Sequence, residues 1–162
     1  MKKPEFTRVI EEYSNRIYGF LLRFLANRED AEDVSQIVFL SFYRKMETID
    51  PSKYGAYLFR SAHNAAINYK KKKKRYVSLD TTVTEPVSEE SRESEDKEKQ
   101  ESFKRAFKKL KPEESLAIEL QFYQKKSYQE IAGIIGKTPQ AVDSILVRAK
   151  RKLRRYLQDF ED

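Results

Sequence analysis

The apolar positions of this chain recur almost everywhere at the 3.6-residue period of a helix, in blocks separated by short polar or proline-containing stretches. From Phe6 to Ala26, the residues Val9, Ile10, Tyr13, Ile17, Phe20, Leu21 and Phe24 keep that spacing and predict a first helix with one face in a core. "NRED" at 27–30 then supplies a turn and an acidic first helical turn, matched to the positive end of a helix dipole. A second helix follows to about Met46, with Ala31, Val34, Ile37, Val38 and Phe42 as its expected core stripe. "ETIDPSK" interrupts it as a loop, because Pro51 disfavours helix at the residue before it. A third helix is predicted from Tyr54 into the lysines, with Leu58, Phe59, Ala62, Ala65, Ala66 and Tyr69 inward. The period fades over 77–102, where Ser, Thr and Glu dominate and too little apolar surface is present to offset ordering entropy. It returns at Phe103, Ala106, Phe107 and Leu110, and "KPEESLAIELQFY" opens a further helix with Pro112 at its first position.

The expected fold is therefore all-α, with two small helical domains, 1–76 and 103–162, joined by a flexible linker over 77–102. Charge sharpens that division. Residues 1–75 carry sixteen Lys/Arg against nine Asp/Glu, 76–102 carry three against nine, and 103–162 carry fourteen against eight, so two basic modules flank an acidic linker. The 162 residues hold no cysteine and a single histidine, His63, which removes disulfides, thiolate metal sites and imidazole clusters; no cofactor or metal is expected. His63 reads as an ordinary helix-surface or half-buried residue. No run approaches the ~20 apolar residues of a membrane span, so membrane insertion is not expected and a cytoplasmic protein is.

Three of the helices have a second face with chemistry of its own. On the second helix, Asp33, Gln36, Leu40 and Tyr43 fall at i, i+3, i+7 and i+10. A carboxylate, an amide and two large apolar groups on one side suit a protein partner better than solvent. On the third helix, Tyr57, Ser61, Asn64, Asn68, Lys71 and Arg75 align opposite the core, in the order aromatic, amide, cation. Stacking and charge dominate the binding of unpaired bases, so this face fits single-stranded nucleic acid. The run "KKKKKR" at 70–75 adds phosphate attraction.

The most specific local signal lies near the C-terminus. Ser127 and Glu130 form a capping-box pair that opens a short helix, Tyr128 to Ile135. Gly136 and Lys137 make a turn, Thr138 caps the next helix and Pro139 starts it. That is a helix-turn-helix pattern. Val142, Ile145, Leu146, Ala149, Leu153, Tyr156 and Leu157 share one side of the last helix; Gln140, Ser144, Val147, Arg148, Arg151 and Arg155 share the other. Thr138, Gln140 and Ser144 suit base edges in a groove, and Arg148, Arg151, Lys152 and Arg155 suit phosphates.

With both modules read, the chain resembles an extracytoplasmic-function (ECF) sigma factor, the smallest form of the bacterial RNA polymerase specificity subunit, over nearly its whole length. "EDAEDVSQIVFLSFYRK" is similar to the family's core-polymerase segment, and the resemblance makes Asp33, Gln36, Leu40 and Tyr43 a polymerase-facing stripe. It also implies that "ETIDPSK" and the start of the third helix capture a base flipped from the minus-ten element. "AYLFRSAHNAAINYKKKKKR" resembles the promoter-melting segment, with Asn64 at its characteristic asparagine, and "SYQEIAGIIGKTPQAVDSILVRAKRKLR" resembles the minus-thirty-five reader. Implied partners are core bacterial RNA polymerase, promoter DNA as duplex and melted strand, and, as is common in the family, an anti-sigma factor. Tyr57 replaces the family's usual tryptophan and Asn68 its aspartate. Ala141, Asp143 and Ile145 stand where threonine, lysine and arginine are common, which implies a weakened minus-thirty-five contact.

Two other readings compete. A stand-alone helix-turn-helix regulator would bind duplex DNA as a symmetric dimer, needing no polymerase. An enzyme would need the acidic group Asp30, Glu32 and Asp33 to hold a metal, yet Glu32 and Asp33 diverge by about 100° around a helix. A non-enzymatic transcription-initiation subunit is the expected function.

Overall fold

The computed structural model describes the backbone over residues 2–79 and 95–161, and these residues are helical with short connections. Helices α1 (Lys2–Leu25), α2 (Arg28–Lys45) and α3 (Tyr54–Leu79) pack pairwise into a three-helix bundle. Its centre is Ile17, Phe20 and Leu21 of α1, Val34 and Phe42 of α2, and Leu58 and Phe59 of α3, all fully buried. α1 starts at Lys2, earlier than the apolar period indicated, because Pro4 falls in the first turn, where a missing N–H breaks no intrahelical bond. At the α1–α2 corner, Ala26 adopts a left-handed φ of 55° and donates its N–H to the Leu22 carbonyl at 2.8 Å, while the Asn27 side chain accepts from the Asp30 N–H at 2.9 Å. "ETIDPSK" is better ordered than a plain loop: it holds two 3-10 turns, Met46–Thr48 and Pro51–Lys53, the second capped by Asp50.

One expected core residue of α2 is not in the core. Ile37 is 53% exposed, and Phe39, at 7%, is buried instead. Each three-residue step along a helix falls roughly 60° short of a full turn, so the series Ala31, Val34, Ile37 walks off the core side.

In the second half, α4 (Glu95–Lys108), α5 (Pro112–Ile118) and α6 (Tyr128–Ile135) all pack against α7 (Pro139–Glu161). α4 begins inside the segment expected as linker and α3 runs three residues into it; the remainder, 80–94, lies outside the described residues. Between α5 and α6 the chain makes a π-helical turn, Glu119–Tyr123, in which the Gln124 N–H reaches the Glu119 carbonyl five residues back at 3.1 Å. Lys125 follows at a left-handed φ of 56°. On α7, Val142, Ile145, Leu146 and Ala149 are buried as expected, but Leu153 is only half-buried and Tyr156 is 43% exposed, because the core stripe loses its cover after Ala149. The side chain of Leu157 lies outside the described residues. The two halves touch: α6 and α5 lie against α3, α4 lies against α1, and the buried side chains form one cluster through both.

Candidate nucleic-acid interface

α2 presents the first surface. Asp33, Gln36 and Leu40 are exposed together, and the displaced Ile37 joins them, so two aliphatic side chains, each 53% exposed, stand beside an amide and a carboxylate. Tyr43, expected in the same stripe, is half-buried: its ring meets Phe6 edge-on at 4.8 Å and carries the Lys2 ammonium 4.3 Å above its centre. It sits where the stripe turns towards Phe39 and acts as an edge of the surface.

The face of α3 grades from half-buried to open. Tyr57 is half-buried against Phe42, ring centres 6.0 Å apart, Ser61 is half-buried, and Asn64, Asn68, Lys71 and Arg75 are exposed along the same side. The basic run is not uniform. Lys73 is tied to Asp30 at 2.6 Å, and the Lys70 ammonium sits 4.3 Å over the Phe24 ring; burial, with Lys108 nearby, pushes its pKa below the usual range. Tyr69 donates to the other Asp30 oxygen at 2.9 Å, and burial, with the Asp30 contact next, raises its hydroxyl pKa to about 12. Both oxygens of Asp30 are thereby committed to holding α3 against α2, which accounts for an acidic residue only 8% exposed.

His63, on the neighbouring side of α3, meets the Phe24 ring at 5.7 Å, and its Nδ1 is buried without a hydrogen-bond partner. Burial lowers the imidazole pKa to about 4, with the Glu113 carboxylate opposing. The unfolded chain therefore takes up a proton here first, and stability that is complete above the ordinary pKa of 6.5 is lost as the pH falls towards 4. Melting temperature is expected to fall between roughly pH 7 and pH 5 in the wild type and to flatten over that window in His63→Gln.

The helix-turn-helix is built as its sequence signals indicate. Ser127 and Glu130 exchange both capping-box bonds, at 2.9 and 3.1 Å, Gly136 closes α6 at φ 84°, and Thr138 accepts the Ala141 N–H at 3.1 Å. Thr138, Gln140, Ser144, Arg148, Arg151 and Arg155 are all exposed on one side. Lys152, grouped with the phosphate cations, instead turns inward to Glu114 at 2.8 Å. Burial pushes the Glu114 carboxyl up, but the hydrogen bonds from Lys152 and the Lys111 amide outweigh it and hold the pKa low. Of the three departures, Ile145 is 2% exposed and packs in the core, Ala141 is half-buried, and Asp143 is exposed at the edge of the polar face. Replacing Asp143 with Lys is expected to tighten duplex binding and to steepen the log K against log salt slope by about one, as a single added phosphate contact does. Filter binding across a salt series checks it, and an unchanged slope refutes it.

Sequence reasoning missed one group of residues. Arg16 and Arg23 of α1 reach across to Gln124 and Glu119, and nothing in the local period of either segment points to the other. Among the described residues no helix is long and apolar enough to cross a membrane, and no group of three acidic, Cys or His side chains is placed to hold a metal ion.

Comparison with known proteins bears on both halves of the chain. The model of sigma-70 region 2 matches residues 9–76, and that of sigma-70 region 4 matches residues 100–153. The ECF RNA polymerase sigma factor BldN of Streptomyces coelicolor is 26% identical over 160 residues, covering 95% of this chain, which in turn spans 61% of the length of BldN. The ECF sigma factor SigM of Bacillus subtilis is 26% identical over 148 residues, 90% of this chain and 91% of SigM. In fold, the chain is similar to the sigma factor RpoE of Bartonella quintana, solved with the anti-sigma factor NepR. The TM-score is 0.74 at 22% identity, over 95% of this chain and 97% of that one.

Proposed function

Because the chain belongs to the ECF branch of the sigma-70 family, with regions 2 and 4 in one polypeptide, we propose that it is a specificity subunit of bacterial RNA polymerase. It binds the core enzyme, reads the minus-ten and minus-thirty-five elements and promotes melting, with no catalytic activity of its own. The observation that carries this reading is the presence of three unlike exposed faces on one chain: the Asp33, Gln36, Ile37 and Leu40 surface of α2, the Asn64, Asn68, Lys71 and Arg75 side of α3, and the Gln140 to Arg155 side of α7. Residues 1–76 take the first two roles and 103–162 the third.

In this reading Leu40 and Ile37 supply buried apolar contact with polymerase, and Gln36 and Asp33 its polar rim. Tyr57, braced by Phe42, supplies a stacking surface for an extruded base, with Ser61, Asn64 and Asn68 for base edges and Lys71 and Arg75 for the backbone. Thr138, Gln140 and Ser144 enter the groove of the upstream element, and Arg148, Arg151 and Arg155 hold its phosphates. An anti-sigma partner, as RpoE has in NepR, belongs to the same proposal. A dimeric regulator accounts for α7 alone and leaves the other two faces without a role.

The test is transcription in vitro from a library of promoter fragments with purified bacterial core polymerase. Transcripts that depend on this protein support the reading; tight duplex binding with no polymerase dependence overturns it.

A further inference from the structure

The end of α3 hangs on one carboxylate. Past Tyr69 the helix continues to Leu79, and its described side chains there, 70–76, add nothing apolar to the core. The run "KKKKKR" sets like charges three and four residues apart, which weakens a helix, and a segment this short is marginal without tertiary support. Asp30, in the first turn of α2 and only 8% exposed, supplies that support. One of its oxygens takes the Lys73 ammonium at 2.6 Å and the other accepts from the Tyr69 hydroxyl at 2.9 Å. The backbone N–H of Asp30 is itself tied to the Asn27 side chain, so the carboxylate projects from a fixed point. The Tyr69 hydroxyl also lies 3.4 Å from Asp33. It has one proton, and the shorter contact gives that proton to Asp30, which leaves Asp33 exposed on the stripe assigned above to polymerase.

The anchor also sorts the cations of the run. At 3.6 residues per turn, Lys71, Lys72 and Arg75 lie within about 60° of the direction of Tyr57, whereas Lys70 and Lys73 lie about 140–160° away from it. Those two are the braced ones, Lys73 on Asp30 and Lys70 over the Phe24 ring. We propose that Asp30 and Tyr69 are positioning residues for promoter opening. They keep the end of α3 helical and in register, so that docking of α2 on polymerase presents the outward cations of α3 to the melting strand as one rigid face. The consequence for transcription rests on the sigma-factor reading; the anchor itself does not. Charge alone predicts the opposite for Asp30, since removing a carboxylate beside DNA tightens binding.

Amide hydrogen exchange of the free full-length protein tests the anchor without polymerase. Asp30→Asn is expected to speed exchange across 70–76 about tenfold, the usual weight of a bond to a charged group, and to leave the centres of α1 and α2 protected. A melting curve checks folding; if Asp30→Asn fails to fold, Tyr69→Phe, which removes one oxygen and no charge, takes its place with the same expected direction. Unchanged exchange in a folded variant overturns the anchor. The second arm uses core polymerase and a promoter fragment that gives transcripts dependent on this protein. Both variants are expected to bind core polymerase as the wild type does and to lose about tenfold in permanganate reactivity of melted thymines. In Tyr69→Phe the log K against log salt slope of promoter binding is expected to become shallower by about one, although every cation is still present, because a frayed helix end no longer reaches its phosphate. Wild-type opening in a variant with lost protection, or a loss of core binding in proportion to opening, overturns the positioning role, as does tighter promoter binding by Asp30→Asn. Absence of polymerase-dependent transcripts from the wild type overturns the sigma-factor reading and the consequence for opening with it, while exchange still decides the anchor.

Discussion

Gln36→Ala/Leu40→Asp is expected to abolish transcription dependent on this protein while leaving the fold unchanged. Leu40 is 53% exposed and Gln36 is exposed beside it, so neither side chain fills the bundle, and changing them creates no cavity. In an interface the same groups weigh heavily: a central apolar anchor is worth 2 kcal/mol or more on truncation, roughly 30-fold in affinity. The substitution to Asp adds an unpaired carboxylate that polymerase binding would have to desolvate. Together these predict a loss of at least about 100-fold in core-polymerase affinity. Titration of fluorescently labelled protein with core enzyme measures that loss, and a melting curve alongside should coincide with the wild type. A variant that melts normally and still binds polymerase with native affinity removes the α2 surface from the proposed function. Ile37→Asp is expected to act in the same direction, since Ile37 shares the exposed face.

Phe42→Ala is expected to have the opposite profile, with stability lost first and promoter opening lost with it. Phe42 is fully buried, meets Tyr54 edge-on at 5.0 Å, lies 6.3 Å from Phe6 and supports Tyr57 at 6.0 Å. Removing a buried phenyl costs about 3–5 kcal/mol through lost transfer energy and the cavity left behind. At the scale of a small domain that lowers the melting temperature by roughly 10 °C or more. Tyr54 also holds Glu5 at 3.0 Å through its hydroxyl, so the damage spreads to the packing of α1. Below the melting transition, the loosened Tyr57 ring is expected to reduce permanganate reactivity at the promoter, the readout of melted thymines, more than it reduces polymerase binding. Equal loss of both would show that Phe42 supports the bundle without positioning Tyr57.

The sequence by itself determined most of the local architecture. The Ser127–Glu130 capping box, the left-handed Gly136, the Thr138 cap and Pro139 place α6 and α7 with their observed starts, because each of these signals is satisfied by bonds within four residues. The exposed cations and amides of α3 and α7 were legible for the same reason, since a helix fixes relative angle from spacing alone. Spacing does not say where the neighbouring helix lies. The period alone therefore puts Ile37 in the core and Tyr43 in the open stripe of α2, and Lys152 among the phosphate cations, whereas Ile37 is exposed, Tyr43 is half-buried and Lys152 turns to Glu114. The α1 clasp on Glu119 was beyond reach of any pattern. It joins residues 96 and 108 positions apart, and it depends on a π-helical turn that aims a carboxylate inward only once the two halves have packed against each other.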